Sequence, residues 1–340
     1  MSTSTSTPTP MYQVVADLDN FPYPSTITTN NNNHDPNTNP ILQNYHAFHI
    51  TGIPQTLGYI PNKLISTFPW DPSTWSISTK NATITLLTPL TATASTRTAI
   101  LLPTLQQLAS HGILQGWRNE TFPLYGPDGT VILEIERAAS ALFGIVTYGV
   151  QMLCYTDEVV SKTNTDTPSP LQLQLWIAKR SPHKQTYPSM LDTTAAGGLT
   201  TGMPPREAIM REASEEAGIP EEILRREMRY VDRISYFHVK KEGGMELLQP
   251  EVEYLYELRL GKGEVVPRPS DSEVEDFRLW GVQEVKGALA EGRFKPNSAV
   301  VVVDFLLRRG LLEGEDGEGI QERLHRELPL PVVDHQYVED

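Results

Sequence analysis

The chain has 340 residues, 39% of them hydrophobic, which is enough for two modest domains with cores of their own. A net charge of −14 argues against general binding to a nucleic acid polymer or an anionic membrane surface, though a small phosphorylated substrate could still be held by a local basic cluster. The single cysteine, Cys154, excludes an internal disulfide and fits a reducing compartment.

Taken in order, residues 1–10 are rich in Ser, Thr and Pro and read as disordered. Met11 to Leu18 can form a short helix. Residues 25–40, with an Asn run at 30–33, read as a floppy insertion, so 1–40 is expected to be mostly a disordered tail. From Tyr45 the composition turns globular. Stretches around His46–Gly52 and Leu57–Pro61 read as short elements, with His46 and His49 as structural histidines. Thr83–Leu87 alternates like a strand. Ala99–His111 carries a helical stripe of Ile100, Leu101, Leu105 and Leu108. Val131–Ile135 follows a Pro-Asp-Gly turn as a strand, and 136–144 reads as a helical turn. Thr147–Tyr155 is a β-type run that places Cys154 in a buried strand. Leu171–Ile177 alternates as a half-buried strand after a polar loop at 161–170. Further on, Ile234–Val239 and Glu251–Leu258 pair around Gly243-Gly244, and 272–280 is another strand. Helices follow at 282–290 and 299–309. Residues 311–340 form an acidic, peripheral tail with at most a short helix at 320–327. No apolar run reaches spanning length, and no signal segment or arginine-rich presequence is evident, so the cytoplasm is the default location, with the nucleus as the other option.

The chemistry concentrates in 197–219, read as a glycine turn and a short helix. Pro204 and Pro205 suit a helix start and Gly218 suits its left-handed stop. A helical period places Ile209, Ala213 and Ala217 on one stripe, and Glu212, Glu215 and Glu216 on the neighbouring face. Like charges so placed weaken a helix and call for a cation, and hard divalent ions take carboxylate oxygens, waters and phosphates. Lys179, Arg180 and Lys184 are expected to face phosphates opposite this helix. Trp117, Trp176 and Tyr187 are candidates to stack on a substrate ring.

Gly197, Arg211, Glu212, Glu215, Glu216, Gly218 and Ile219 together resemble the Nudix box, with Met203 standing where that family has its first glutamate. The flanking runs Gly116–Glu120, Glu136–Ala139, Leu142–Ile145, Tyr148–Val150, Lys184–Asp192, Phe294–Asn297 and Val302–Phe305 resemble the thiamine pyrophosphokinase-related Nudix proteins of fungi and plants. The likeness covers about 42–310, and no kinase domain follows. It implies an α/β fold: a Nudix α/β/α sandwich with a mixed sheet over 144–310, behind a smaller α+β domain over 42–143. It also implies Mg²⁺ (or Mn²⁺) held by Glu212, Glu215, Glu216 and the Gly198 carbonyl. Arg211 would orient the carboxylates. The activity implied is removal of phosphate from oxo- or oxythiamine diphosphate. An 8-oxo-dGDP-type substrate and a catalytically silent binding module are the alternatives, the latter raised by Met203. The general base stays open among Glu216, Glu215, Glu253 and Glu273. An isomerase is disfavoured because Cys154 precedes the box on an apolar strand.

Overall fold

The computed structural model describes residues 9–23, 40–159, 171–261, 265–326, 332, 334 and 335. The expected disorder at 1–8 and 25–39 and the loop at 161–170 lie outside the described residues.

The first helix, α1 (Pro10–Leu18), has Pro at its start and buries Met11, Val15 and Leu18. Next come β1 (Tyr45–Ile50), β2 (Ile53–Pro61), α2 (Asn62–Thr67), β3 (Trp75–Ser78) and β4 (Thr83–Leu86). They build a four-stranded sheet in the order β2-β1-β4-β3, with β1 and β4 parallel. Helix α3 (Ala94–Ser110) starts five residues before the expected Ala99, because Thr93 caps it by accepting the Thr96 N–H at 3.2 Å. Its buried stripe of Leu101, Leu105 and Leu108 meets Phe48, Ile84, Leu133 and Phe143 in one core. A hairpin of β5 (Thr121–Tyr125) and β6 (Val131–Glu136) leads through a 3₁₀ turn, Arg137–Ala139, into α4 (Ser140–Phe143). His46 and His49 bond Asn62 and the Gln55 carbonyl, so both act as structural side chains.

The larger layer comprises β7 (Thr147–Val159), β8 (Leu171–Arg180), β9 (Leu191–Asp192), β10 (Ala195–Gly198), α5 (Pro205–Ala217), α6 (Glu221–Glu227), β11 (Arg229–Glu242), β12 (Met245–Arg259), β13 (Val274–Gly281), α7 (Val282–Ala290), α8 (Pro296–Arg308) and α9 (Gly317–Leu324). Its mixed sheet runs β11-β12-β7-β8-β13, with β10 beside β7 and β9 beside β8; the β7–β12 pair is parallel. Alternation along β7 decides the layers. Val150, Met152 and Cys154 face α5 and α6, while Leu153 faces α1, α7, α8 and α9. The result is an α/β/α sandwich. Cys154 is fully buried, and burial pushes its thiol up to about 12, which leaves it inert. Gly243 and Gly244 make the expected hairpin turn, both at positive φ.

Three expectations need correction. Residues 9–23 are not loose tail: α1 packs into the core beside α8, and buried Asp19 receives Arg323 at 3.1 Å and also pairs with Arg326. The segment after Leu312 is not peripheral, because Ile320 and Leu324 are fully buried and His335 stacks on Tyr125 at 4.3 Å. Strand β8 is covered on both faces rather than half-buried, with Leu175 and Ile177 facing one core and Trp176 and Ala178 the other.

Candidate active site

The glycine pair expected as a turn lies in β10, hydrogen-bonded along β7. Each glycine is needed because something sits where a Cβ would be. At Gly197 a Cβ would come within 2.6–2.7 Å of the Glu212 side chain, and at Gly198 within 2.7 Å of the Phe122 ring. The turn comes afterwards, at Gly202 (φ 78). Helix α5 then starts at Pro205 and stops at Gly218 (φ 61). The stripe Ile209, Ala213 and Ala217 is fully buried against the sheet and sets the helix rotation. From that stripe's centre at Ala213, 100° per residue puts Glu216 about 60° away, Glu212 about 100° and Glu215 about 160°.

All three glutamates therefore lie on the same side of the stripe, and they differ in how deeply they are covered. Glu216 is buried, and its Oε2 accepts the Ala196 N–H at 3.2 Å. Glu212 is nearly so, its Oε1 receiving Arg211 Nη2 at 2.8 Å. Glu215 points outward with a 60% exposed side chain, 4.0 Å from Arg211 Nε. Burial raises the affinity of Glu216 for a proton well above the usual range; repulsion from Asp192, Glu212 and Glu273 adds to this, and the Ala196 N–H only partly offsets it. Burial also raises Glu212, against the pull of Arg211. Among the described residues no three His, Cys, Asp or Glu side chains form a complete cage. A buried and a largely covered carboxylate of like charge, seated in a cradle that a single Cβ would fill, fit a hard divalent ion that keeps waters and substrate oxygens. Met203, in the family's glutamate position, is half-buried and packs against the core under α5.

On the other face of the sheet, Glu253 of β12 sits level with Gly149, where a Cβ would overlap its carboxylate. Its Oε1 accepts Gln151 Nε2 at 3.1 Å, Asn297 Nδ2 at 3.0 Å and the Tyr236 hydroxyl at 3.3 Å. Tyr236 also donates a short bond to Glu251. Burial, with Glu251 beside it, pushes Glu253 up to about 8, against Lys295, Gln151 and Asn297. A carboxyl whose folded pKa is raised keeps its proton in the native state above the ordinary 4.5. Stability therefore falls as pH rises between 4.5 and about 8. Glu253→Gln is expected to flatten this decline: its melting temperature should stay near wild type at pH 5 and exceed it at pH 8.5. Parallel melting curves across that range would contradict the assignment.

The basic residues are placed differently from expectation. Arg180 is buried in an ion pair with Asp192 at 2.7 Å and also donates to the carbonyls of Tyr187 (3.0 Å) and Thr186 (2.9 Å), so three of its five N–H groups are engaged within the protein. Lys184 is paired with Glu273, whose pKa is lowered: burial raises it, but Lys184, Arg180 and a hydrogen bond with Glu216 outweigh burial. That makes Glu273 a poor base. Lys179 pairs with Glu275 at 2.9 Å and lines a groove of about 380 Å³ with Trp280, Arg278 and Arg293 on the β8–β13 side. Tyr187 is 40% exposed at φ 51. Trp117 donates to Asn119 Oδ1 at 3.0 Å at the rim of the first core, and Trp176 is half-buried in β8. The structure thus brings Arg211, Glu212 and Glu216 together against Ala196 and Gly197, with Asp192 and Glu273 acting on Glu216 and carrying Arg180 and Lys184 as their ion-pair partners; Gly198 faces Phe122, and Lys179 pairs apart with Glu275. Sequence reasoning assigned no site role to Phe122, which closes over Gly198, or to Arg137 beside it; Arg137 stood within the family-like run Glu136–Ala139 and Phe122 just after Gly116–Glu120.

Residues 163–302 match the NUDIX domain, and residues 26–147 match DUF4743, a domain of unknown function. The chain is 34% identical over 230 residues to the uncharacterized protein YJR142W of Saccharomyces cerevisiae, covering 65% of this chain and 64% of that one. It is 35% identical over 221 residues to Nudix hydrolase 20, chloroplastic, of Arabidopsis thaliana, covering 64% of this chain and 54% of the relative. It therefore spans less than two thirds of the length of these relatives. A crystal structure from Deinococcus radiodurans aligns with a TM-score of 0.38 at 20% identity, over 54% of this chain and 98% of that one. The chain carries a Nudix domain preceded by an N-terminal DUF4743 domain.

Proposed function

We propose that this chain is a Mg²⁺- or Mn²⁺-dependent pyrophosphohydrolase that cleaves a small diphosphate of the thiamine diphosphate type, oxo- or oxythiamine diphosphate, to monophosphate and phosphate. The observation that carries the reading is the pair of carboxylates, buried Glu216 and largely covered Glu212, against the Cβ-less strand at Gly197. The choice of substrate rests on the motif runs over 42–310, and the Arabidopsis relatives bear the name Nudix hydrolase.

When bound, a divalent ion supplies positive charge to phosphate oxygens and acidifies an attacking water. Glu212 and Glu216 would hold it. Arg211 keeps Glu212 turned toward the strand through its 2.8 Å bond. Glu216 is the candidate general base because it lies at the site, its carboxylate fixed by the Ala196 N–H. Glu215 is too exposed and Glu273 too firmly paired for that task, while Glu253 lies on the opposite face. Water oxygen bonds to phosphorus, the P–O–P bond breaks, and the proton moves to Glu216. Met203 falls in a packing position and removes neither Glu212 nor Glu216.

Phosphate release should be measured with Mg²⁺ across oxothiamine, oxythiamine and thiamine diphosphates, 8-oxo-dGDP and ADP-ribose. The highest kcat/KM is expected on the oxo or oxy forms. A preference for 8-oxo-dGDP by tenfold or so would overturn the substrate, and no turnover of any compound would overturn the reaction.

A further inference from the structure

On the face of the sheet away from α5, a second polar cluster sits level with the first. Gly198 of β10, Gly149 of β7 and Glu253 of β12 lie abreast. With neighbouring strands roughly 4.8 Å apart, Glu253 is about 10 Å from Gly198. Gly197, next along β10, faces Glu212 on the opposite side. Among the described residues β10 pairs only with β7, so no strand closes its outer edge between the two faces.

Glu253 is 2% exposed, yet only one of its oxygens is engaged. Oε1 meets three donors, from Gln151, Asn297 and Tyr236. The Thr193 hydroxyl donates to Gln151 Oε1 at 3.1 Å, which turns the Gln151 amide nitrogen toward Glu253. Oε2 lies over Gly149 and has no hydrogen-bond partner among the described residues. Asn297 repeats the pattern: its nitrogen donates to Glu253 at 3.0 Å, and its Oδ1 is covered with no partner. Folded interiors leave few polar atoms unpaired, and two on bonded neighbours call for a molecule that meets both.

The two atoms ask for different things. Burial, with Glu251 beside it, raises Glu253 to about 8 against the pull of Lys295, so the carboxyl holds its proton at neutral pH. Oε1 already accepts from its three neighbours, which leaves that proton on Oε2 as a donor. Asn297 Oδ1 can only accept. A donor beside an acceptor matches a planar edge on which an N–H stands next to a ring nitrogen or a carbonyl oxygen. Phosphate, with acceptors alone and Glu251 close by, does not fit. Glu251 and Asn297 are half-buried, so the cluster reaches solvent at the start of α8.

We propose that Glu253 and Asn297 recognise the ring of the diphosphate substrate, pairing with a pyrimidinone or aminopyrimidine edge while the diphosphate lies at Glu212 and Glu216. This rests on the pyrophosphohydrolase reading and deepens it. The substrate passes round the outer edge of β10, and the two side chains select its ring without taking part in breaking the P–O–P bond.

The test is isothermal titration of the full chain with Mg²⁺ and two probes. Oxythiamine monophosphate carries the ring but no P–O–P bond; methylene bisphosphonate carries a diphosphate that cannot be hydrolysed and no ring. Glu253→Ala should bind the monophosphate at least about tenfold more weakly and the bisphosphonate as wild type does. Glu253→Gln puts an N–H where Oε2 stood and should restore binding of the ring; failure to restore it overturns the donor role. Asn297→Ala should act as Glu253→Ala does, and it decides the matter if Glu253→Ala fails to fold. A merely structural cluster would lower both probes alike or neither, and either result overturns the proposal. A wild type that releases phosphate from its substrate yet does not bind the monophosphate sinks this inference and spares the reaction. A wild type that binds neither probe and turns nothing over sinks both.

Discussion

Glu216→Gln is expected to lower kcat about 10²–10⁴-fold while leaving the fold intact. The replacement is isosteric, and the amide oxygen can still accept the Ala196 N–H that now reaches Glu216 at 3.2 Å. What disappears is a charge buried beside Asp192, Glu212 and Glu273. Because that carboxyl is raised above its ordinary 4.5, ionising it costs the metal-free protein stability as pH rises. The variant should therefore melt at or above wild type at pH 8 without metal. Added Mn²⁺ should reverse the order. A ligand at 100 times its Kd stabilises by about 2.7 kcal/mol, a gain the wild type makes in full and the variant largely loses. Calorimetry with and without Mn²⁺, beside phosphate release, gives both readouts. Wild-type turnover in the variant, or equal stabilisation by Mn²⁺, would remove Glu216 from the site.

Much of this site could be read in the amino-acid order because its parts are local. Pro205, Gly218 and the stripe at 209, 213 and 217 fix a helix and its buried side within thirteen residues. The same 100° step puts all three glutamates on one side of the stripe, Glu216 nearest to it and Glu215 farthest, so their unequal exposure follows from the direction the stripe faces. The hairpin around Gly243-Gly244 was likewise local. What escaped depends on partners far along the chain. α1 reads as a short apolar helix, but its partners in α8 and α9 lie nearly 300 residues away. Helix α6 was missed because its Glu-rich start and Arg-rich end carry one buried residue, Leu224, too little for an apolar stripe. Gly197 and Gly198 read as a turn because glycine pairs usually are turns, whereas here the missing Cβ atoms make room for Glu212 and Phe122. The basic residues at 179, 180 and 184 looked available for phosphate because pairing across β8, β9 and β13 is invisible without register.

Asp192 shows the energetic weight of that hidden register. Its Oδ2 meets Arg180 at 2.7 Å and lies 4.0 Å from Lys295, while its Oδ1 receives Ser298 and the Thr193 N–H. Burial alone would raise its pKa, but Lys295 and Arg180 outweigh burial and hold it below the ordinary 3.8. Asp192→Ala leaves Arg180 buried with no counter-charge and should cost about 3–5 kcal/mol. The loop that Arg180 staples, carrying Tyr187 and Ser189 at positive φ, should loosen first. A depressed carboxyl contributes its stability above 3.8 and loses it as pH falls through the folded value, so the penalty should shrink in acid. Urea unfolding at pH 7 and pH 3 measures both quantities. Removing both charges, as Arg180→Met with Asp192→Leu, should cost less than Asp192→Ala alone, since no buried ion is then stranded. A double variant as unstable as the sum of its parts would mean that packing, not charge, holds this corner of the sheet.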